Sequence, residues 1–485
     1  MVSVAEYSAV PAVMRTRRKV RLLGIVTVIF FCVSGGAYGL EPLWSSSGPG
    51  MAMILLLVTP LIYGVPVALF TAELATAIPV EGGYYQWVKR AWGNFAGYQE
   101  GMINWVDSWV DMALYPVLFS SYLGFIWARA NPGAYVFGQF SIPGVGLFQV
   151  DLYWVLGVVC VVFLITALNI FGAKVVGDTS TLFTVLVLAP FVVLACWGIP
   201  KLFTHHINPV SPLTPPHTSV IAAFGAGLVV VMWNYNGFDS ISTVTEELDN
   251  PRRTLPKALA IAVGLITACY VLPGLGAMAG LHSAGGWLNW QAGSFGAIGG
   301  SVVGRWLMYA LAVGGMLSAM GLYSSLLLSN SRIPFVLAVD GWIPRGFVRV
   351  SKRFGTPVIS IVTCSVIYAL LSNNSFLNLL NIDVLLSNVT IALELSALIK
   401  LRYSEPDLER PYRIPGGWPV IALMSVPLLG VIGYAAWNTI VDSDDSSDRW
   451  VLLSAFAICL VSYIPAEWHR RKELARGLAG NPEAA

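Results

Sequence analysis

Acidic and polar side chains recur along one face of an otherwise apolar segment, where they could bind a cation or carry protons. Their spacings of four, three, four and four residues place them on one side of a helix; they are Glu100, Asn104, Asp107, Asp111 and Tyr115. A polar stripe through a long apolar helix is expected to face a bundle interior or a water-filled cavity. Because no lysine or arginine lies near the middle of the apolar segments, a purely structural ion pair is the weaker interpretation.

Two other apolar segments are each interrupted by glycines and polar residues. The first interruption reads VSGGAYGLE at residues 33–41, and the second reads WNYNGFDS at residues 233–240. Glycine inside a helix costs roughly 1 kcal/mol relative to alanine, and a carboxylate in hydrocarbon costs still more. One such interruption alone could equally be a close contact between helices. Two of them favour helices broken around a cavity, with free backbone groups lining it.

The composition is that of a protein that crosses a membrane many times. Apolar residues make up 56% of the 485 residues, charged residues make up 11%, and the mean hydropathy is +0.70. A soluble domain carries roughly a quarter charged residues. The windows long and apolar enough to span a bilayer are 22–46, 51–78, 95–128, 152–170, 178–200, 218–245, 257–281, 303–329, 357–372, 379–400, 418–438 and 450–468. We predict an all-α polytopic membrane protein with twelve transmembrane helices in a lipid bilayer.

The placement of lysine and arginine predicts the orientation. With the N-terminus in the cytoplasm, 24 of the 28 basic residues fall inside. The four that fall outside are Arg129, Lys201, Arg305 and Arg449. Because cytoplasmic loops carry the excess of positive charge, we expect both tails, 1–20 and 470–485, to be cytoplasmic, with the chain in the plasma membrane.

The two interrupted segments are the first and the sixth of the twelve, so each begins a half of five spans. An odd number of spans in each half requires the second half to be inverted relative to the first, as in inverted-repeat transporters. We predict one transporter domain over 1–485, with a first repeat at 22–200, an inverted repeat at 218–400 and two further helices at 418–468.

Other functional classes find little support in the sequence. The six cysteines fall inside predicted spans without a CxxC pair and the five histidines are scattered, which indicates neither a disulfide framework nor a metal site. An embedded enzyme would need a nucleophile with a base, or a metal-ligand cluster, and a channel would need a continuous lining of similar residues. We expect no enzyme, no cofactor, no metal and no nucleic-acid partner, while a non-transporting nutrient sensor of the same fold stays open.

Several further motifs accompany the two interruptions. They are ELA at 73–75, EGGY at 81–84, DMALYP at 111–116, NP at 250–251, LPKA at 255–258 and RPYRIP at 410–415. Together they resemble the amino acid–polyamine–organocation transporters, most closely the branch that contains plant and protozoan polyamine and amino acid permeases. The resemblance implies a LeuT-like fold with broken helices 1 and 6. Two departures stand out: Val187 aligns where some proton-driven members carry a lysine, and the first break reads Ser-Gly-Gly instead of Gly-Ser-Gly.

Half-helix ends at the two breaks are expected to form the binding site. Amides near Gly35 to Tyr38 favour a carboxylate, whereas carbonyl groups and the region of Asp239 favour an ammonium group. The predicted substrate contacts are Ser34, Gly35, Gly36, Tyr38, Glu41, Asp111, Tyr115, Trp233, Asn234, Asn236 and Asp239. The predicted coupling or gating residues are Glu41, Asp107, Phe238, Asp239 and Glu247.

The expected function is secondary transport of amino acids or polyamines by alternating access. Acidic residues without a local cation favour cationic substrates, and the aromatic residues near the breaks suit a cation as well. Protons are the expected coupling ion, with Asp239 and Glu41 changing protonation during the cycle. A neutral amino acid permease or exchanger is the alternative, because unwound Gly-Gly amides suit any ligand that carries a carboxylate.

Overall fold

The computed structural model describes residues 19–127, 136–142, 146–373, 376–441 and 446–477, which are almost entirely helical. Arg129 and the outer parts of both predicted tails lie outside these residues. The elements of the first half are α1 (Leu22–Val33), α2 (Glu41–Ser47), α3 (Pro49–Thr59), α4 (Val65–Ala77), α5 (Gly83–Trp92), α6 (Asn94–Trp127), β1 (Val136–Ile142), β2 (Gly146–Asp151), α7 (Leu152–Gly157), α8 (Leu164–Ile170) and α9 (Ala173–Thr204).

The second half contains longer helices and several short 3-10 turns. Its α-helices are α10 (Val220–Asn234), α11 (Pro251–Ala277), α12 (Phe295–Val302), α13 (Arg305–Asn330), α14 (Arg332–Val339), α15 (Val358–Leu371), α16 (Phe376–Ser404), α17 (Gly417–Val441) and α18 (Ser446–Ala475). A 3-10 segment at Ser240–Glu247 follows α10. In the first half, π-helical turns at Pro60–Gly64 and Val158–Phe163 join α3 to α4 and α7 to α8 without ending the span.

Eight helical stretches of the described residues are long and apolar enough to cross a membrane. They are Pro49–Ala77, Asn94–Trp127, Leu152–Ile170, Ala173–Thr204, Pro251–Gly280, Arg305–Val339, Leu379–Ser404 and Gly417–Trp437. Three shorter apolar helices coincide with further predicted windows: Leu22–Val33, Val220–Asn234 and Val358–Leu371. The prediction of a multi-pass helical membrane protein is confirmed, whereas the count of twelve spans stays a prediction.

A short β-hairpin, which the sequence analysis did not predict, accompanies the almost entirely helical fold. Strands β1 and β2 pair antiparallel immediately before α7, with Phe140 opposite Phe148. The two strands are rich in aromatic and β-branched residues, which favour extended backbone. The search for long apolar windows missed the hairpin because each strand is far shorter than a membrane span.

Both interrupted segments are breaks in helical backbone. Helix α1 ends at Val33 and α2 begins at Glu41, and the glycines between them have positive φ angles, 72° at Gly35 and 94° at Gly36. In the second segment α10 ends at Asn234, and Gly237 has a φ of 99°. Such angles strain any residue with a side chain. The sequence therefore places glycine where the backbone must leave the helix.

The two breaks lie directly against each other. A Cβ atom built on Gly237 would overlap the backbone carbonyl oxygen of Cys32, at the end of α1. Around this crossing, α1 packs against α9, α11 and α13, while the long helix α6 packs along α13 and α16. The polar stripe of α6 is thereby brought beside the breaks.

A buried ion cluster joins the C-terminal ends of α4 and α16. Glu73 on α4 is fully buried, and its carboxylate pairs with Arg402 at the end of α16 and with Arg410 in the following loop, where Nε lies 3.3 Å from Oε1. The backbone amide of Ile414 donates to the same carboxylate at 2.8 Å. The ELA and RPYRIP motifs therefore meet in one structural cluster.

Replacing Glu73 with glutamine should destabilise the fold strongly. The guanidinium of Arg402, whose side chain is only 3% exposed, would lose its counter-charge. Removing one partner of a buried pair costs about 3–5 kcal/mol, so we expect a large fall in the midpoint of thermal unfolding in detergent. The matched control is Glu409→Gln, which breaks a pair with Arg252 whose glutamate side chain is 73% exposed. Equal midpoints for E73Q and E409Q would contradict this role.

Replacing Gly237 with alanine should also destabilise the fold. The substitution forces a side chain into a left-handed conformation, at about 1–2 kcal/mol, and pushes it against the carbonyl of Cys32. Gly264→Ala in the interior of α11 is the control, because a Cβ there meets no atom within 4 Å. Thermal unfolding of both variants in detergent measures the difference; a G237A midpoint as high as that of G264A would show that the breaks are not packed in this way.

Candidate substrate-binding site

A cavity lies where the two helix breaks meet the polar stripe of α6. Its wall comes from both breaks, from that stripe and from α16, and it measures about 50 Å³, which leaves room for only a few water molecules. The predicted site residues that line it are Ser34, Asp107, Asp111, Tyr115, Trp233, Asn234, Asn236 and Asp239. A ligand larger than a few waters therefore requires movement of the cavity wall.

Helix α16 carries a second polar stripe, which faces the polar stripe of α6. Both stripes have spacings of four, three and four residues, and they are Glu100, Asn104, Asp107 and Asp111 on α6 and Asp383, Ser387, Thr390 and Glu394 on α16. Sequence reasoning missed Asp383 and Glu394. The periodicity that identified the stripe on α6 also occurs in α16, and it could have identified both residues.

Carboxyl groups of the two stripes meet in pairs. Asp107 contacts Asp383 and Glu100 contacts Glu394, so α6 and α16 run in opposite directions. Glu394 also contacts Asp239, in the second break. All five side chains are buried. Among the residues that the structure describes, no lysine or arginine lines the cavity.

The acids differ in the number of hydrogen bonds that they accept from the protein. Asp111 accepts a hydrogen bond from the Tyr115 hydroxyl at 2.7 Å, and Glu100 accepts one from the Asn104 side chain at 2.9 Å. Within the described part of the chain, no donor reaches either oxygen of Asp383 or of Glu394. Two carboxylates in contact repel each other unless a proton or a cation lies between them. The wall is therefore suited to protons and to ammonium groups.

The amides of the first break are occupied by protein acceptors. The amides of Ser34 and Gly35 donate to the carbonyl of Phe30 at 2.7 and 3.4 Å, and the Gly36 amide donates to the Ser34 hydroxyl at 3.1 Å. The Ser318 hydroxyl donates to the Gly35 carbonyl at 2.5 Å. Gly35 and Gly36 do not line the cavity. In this conformation these three amides are not directed at a ligand carboxylate.

Glu41 and Tyr38 lie away from the cavity, in a contact between α2, α6 and the segment before α12. The fully buried Glu41 carboxylate accepts hydrogen bonds from the Tyr122 hydroxyl, from the Gly39 amide at 2.8 Å and from the Gly293 amide at 3.0 Å. The ring of Tyr38 packs edge-on against Tyr122, with centroids 5.0 Å apart. We call this set, Tyr38, Glu41, Tyr122 and Gly293, the outer contact, after the predicted orientation. Its members do not line the cavity.

An ion cluster follows the C-terminal end of α13. Arg332, which is fully buried, contacts Glu247 with Nη2 2.5 Å from Oε1 and Glu81 with Nε 3.5 Å from Oε1. The amide of Val20, just before α1, donates to the Glu247 carbonyl at 3.1 Å. We call Val20, Glu81, Glu247 and Arg332 the inner contact. Sequence reasoning named Glu247 but missed its partner Arg332.

Phe238 serves the packing of the second break and does not line the cavity. Its side chain is fully buried, and its ring lies against Gly64 in the π-helical turn between α3 and α4, where an added Cβ would be 3.3 Å away. Neither Phe238 nor Glu247 is among the residues that line the cavity. Any gating by either residue must act through the backbone of the break.

Comparison with known proteins agrees with this architecture. Residues 23–463 match the family described as amino acid permease. A probable polyamine transporter of Arabidopsis thaliana is 33% identical over 413 residues, which are 84% of this chain and 77% of the relative. The polyamine transporter RMV1 of the same plant is 33% identical over 86% of this chain and 80% of its own length.

A relative from rice shows a comparable sequence identity. The polyamine transporter PUT1 of Oryza sativa subsp. japonica is 34% identical over 419 residues, which are 86% of this chain and 73% of the relative. The family match covers nearly all of the membrane-embedded part, including both breaks. The chain belongs to the amino acid permease family of the amino acid–polyamine–organocation superfamily and is a transporter, not an enzyme.

Proposed function

We propose that this protein is a secondary transporter that moves polyamines or other cationic amino compounds across the plasma membrane by alternating access, coupled to protons. The observation that carries the proposal is a cavity lined by Asp107, Asp111, Asp239 and Asp383 without a lysine or arginine among its described lining residues. Buried carboxylates need a counter-charge, and an ammonium group brought by the substrate supplies it. The aromatic rings of Tyr115 and Trp233 beside them suit a cation as well.

The transport cycle that we propose rests on an inverted repeat. Twelve transmembrane helices form two five-span halves, 22–200 and 218–400, followed by two helices at 418–468, with both termini in the cytoplasm. This LeuT-like arrangement would put the breaks at helices 1 and 6 of the repeat, near the middle of the bilayer. Two breaks packed at Gly237 and Cys32 support that proposal.

The occupied amides of the first break favour amines over amino acids. An α-amino acid needs donors for its carboxylate, and the amides of Ser34, Gly35 and Gly36 already donate within the protein. A polyamine carries no carboxylate and needs acceptors alone, which the acidic wall provides. Relatives named polyamine transporters in two plants agree with this preference.

Proton coupling follows from the same carboxyl groups. Asp239 lies in the second break, lines the cavity and contacts Glu394. When the cavity is empty, the contacting acids require protons between them, and substrate binding changes that requirement. Glu41 is different, because four donors, including the Phe295 amide at 3.4 Å, stabilise its carboxylate. We therefore assign the change of protonation to Asp239 and regard Glu41 as part of the outer contact.

Neutralising Asp111 or Asp239 should reduce uptake of cationic amines by about tenfold or more, since loss of one partner of a buried charge contact costs 2 kcal/mol or more. Purified protein in proteoliposomes, with radiolabelled putrescine, spermidine, arginine and leucine and with or without a proton gradient, provides the measurement. We further expect D239N to lose most of the dependence of uptake on that gradient.

Asp178→Asn is the matched control, because the Asp178 side chain is 70% exposed and lies far along the chain from either break. Uptake by D178N should equal that of the unaltered protein. Leucine as the preferred substrate, or unchanged amine uptake in both D111N and D239N, would overturn the proposal.

Weakening each closing contact should open the cavity to one side only. Cys32 lines the cavity and is almost fully buried, so its labelling by a cationic methanethiosulfonate reports access once the other five cysteines are replaced by serine. Glu247→Gln should speed labelling from the side of the termini about tenfold, since it removes a buried charge from Arg332. Tyr122→Phe should speed labelling from the opposite side by a smaller factor, since it removes one hydrogen bond.

Glu409→Gln in the same background supplies the control, because it removes an exposed charge that belongs to neither contact. Labelling rates in E247Q and Y122F that match those of E409Q on both sides of the membrane would speak against alternating access through these contacts.

A further inference from the structure

Glu81, in the turn between α4 and α5, is a buried acid that accepts no hydrogen bond. Its side chain is fully buried, and within the described part of the chain no donor reaches either of its carboxylate oxygens. Among the described residues, Arg332 is the only lysine or arginine with a nitrogen within 4 Å of that carboxylate, and its Nε lies 3.5 Å from Oε1. A buried carboxylate without hydrogen bonds is strongly unfavourable. The ionised form of Glu81 is therefore disfavoured at this position.

The guanidinium of Arg332 is already bonded to other groups. Its Nε and Nη2 donate to Oε1 of Glu247 at 3.0 and 2.5 Å, and its Nη1 donates to the Ser331 hydroxyl at 3.0 Å. The carboxylate of Glu247 thus matches its single positive charge. Glu246 adds a third carboxyl group to the cluster, because its Oε1 accepts a hydrogen bond from the Glu81 amide at 3.3 Å. Carboxyl groups in excess of the positive charge around them take up protons.

The burial of Glu81 depends on three elements that meet at its turn. The Gly82 amide donates to the carbonyl of Thr243, in the 3-10 segment that follows the second break, at 3.0 Å. A Cβ atom built on Gly82 would lie 2.9 Å from the side chain of Val336 on α14. The turn is therefore held between the 3-10 segment and α14. Separation of these elements would expose the Glu81 carboxyl group to water.

Burial and neighbouring charges act on Glu81 together. Burial raises the pKa of its carboxyl group well above the ordinary range, and the charge of Glu247 raises this pKa further. Arg332 opposes the rise, and Glu246 adds to it. Since a glutamate in water has a pKa of about 4.3, exposure of Glu81 would lower its pKa toward that value.

We infer that Glu81 is a proton-binding site of the inner contact, protonated while the contact is closed and ionised once the contact opens. The inference rests on the proposed function, in which this contact opens during each cycle. Because the closed form binds the proton more tightly than the open form, acid favours the closed contact and alkali favours the open one. Glu81 does not line the cavity, so its proton is separate from the one that we assign to Asp239.

The test measures the distance between two spin labels by pulsed electron paramagnetic resonance, with the full chain in lipid nanodiscs. Arg21, before α1, and Arg349, after α14, are both exposed; each is replaced by cysteine for labelling, and the six native cysteines are replaced by alanine. We expect the ratio of long to short distances to rise at least tenfold from about pH 5 to about pH 8, since one unit of pKa difference between the two forms corresponds to a factor of ten. Glu81→Gln, which cannot ionise, should keep the short distance at every pH.

Three further variants complete the test. E409Q, which removes an exposed charge outside the inner contact, should follow the unaltered chain. Glu246→Gln retains an oxygen for the Glu81 amide but removes a negative neighbour, so the pH midpoint of opening should fall. D239N should retain the pH dependence, because Glu81 is intact.

The possible failures of the inference and of the proposed function are distinguishable. A long distance equally populated at every pH, or a pH dependence that is kept in E81Q or lost in D239N, would overturn the inference while amine transport itself stands. If E81Q fails to elute as a folded protein, E246Q decides, because an unchanged midpoint there would exclude Glu81 as the titrating group. A single distance at every pH, with and without spermidine, would instead refute opening through the inner contact and with it the cycle that we propose.

Discussion

Burial of carboxyl groups without matching protein cations is the constraint on which the rest of this structure depends. Asp383 and Glu394 are withdrawn from water and lack donors within the described protein. In a medium of low dielectric constant such groups must share protons or bind cations. A protein could avoid that condition with a single lysine or arginine on the cavity wall, and the described wall contains none. In the function that we propose, the carboxyl groups of the wall exchange protons for a cationic substrate that enters and leaves.

Three acids outside the cavity have protein partners. Glu73 has two arginines and a backbone amide, the partly buried Glu247 has Arg332, and Glu41 has four donors. These contacts hold elements together at the two ends of the bundle. We propose that these three acids stabilise the fold, whereas the acids of the cavity wall bind a ligand. Burial alone does not distinguish the two groups, because Glu41 and Glu394 are both fully buried.

Most of the architecture could be predicted from sequence because a bilayer imposes strict requirements on a chain. Apolar windows located the membrane helices, and glycines beside polar residues located both breaks. The polar stripe of α6 identified Asp107 and Asp111, and the equivalent stripe of α16, with Asp383, was available but overlooked. The ion pairs between distant residues could not be predicted, because a pair such as Glu73 with Arg402 joins residues more than 300 positions apart. The hairpin was missed because its strands are short and lie between helices.

Each of the two contacts includes a residue from the element that follows a helix break. We propose that the breaks thereby link the binding site to both sides of the membrane. Glu41 of the outer contact begins α2, directly after the first break, and Glu247 of the inner contact ends the 3-10 segment that follows the second break. The breaks touch at Gly237 and Cys32. In the cycle that we propose, a ligand whose ammonium group attracts Asp239 acts on backbone connected to both contacts. Because broken backbone lacks the continuous hydrogen bonds of a helix, we propose that each half-helix tilts separately, so that an occupied site opens on one side while the other stays closed.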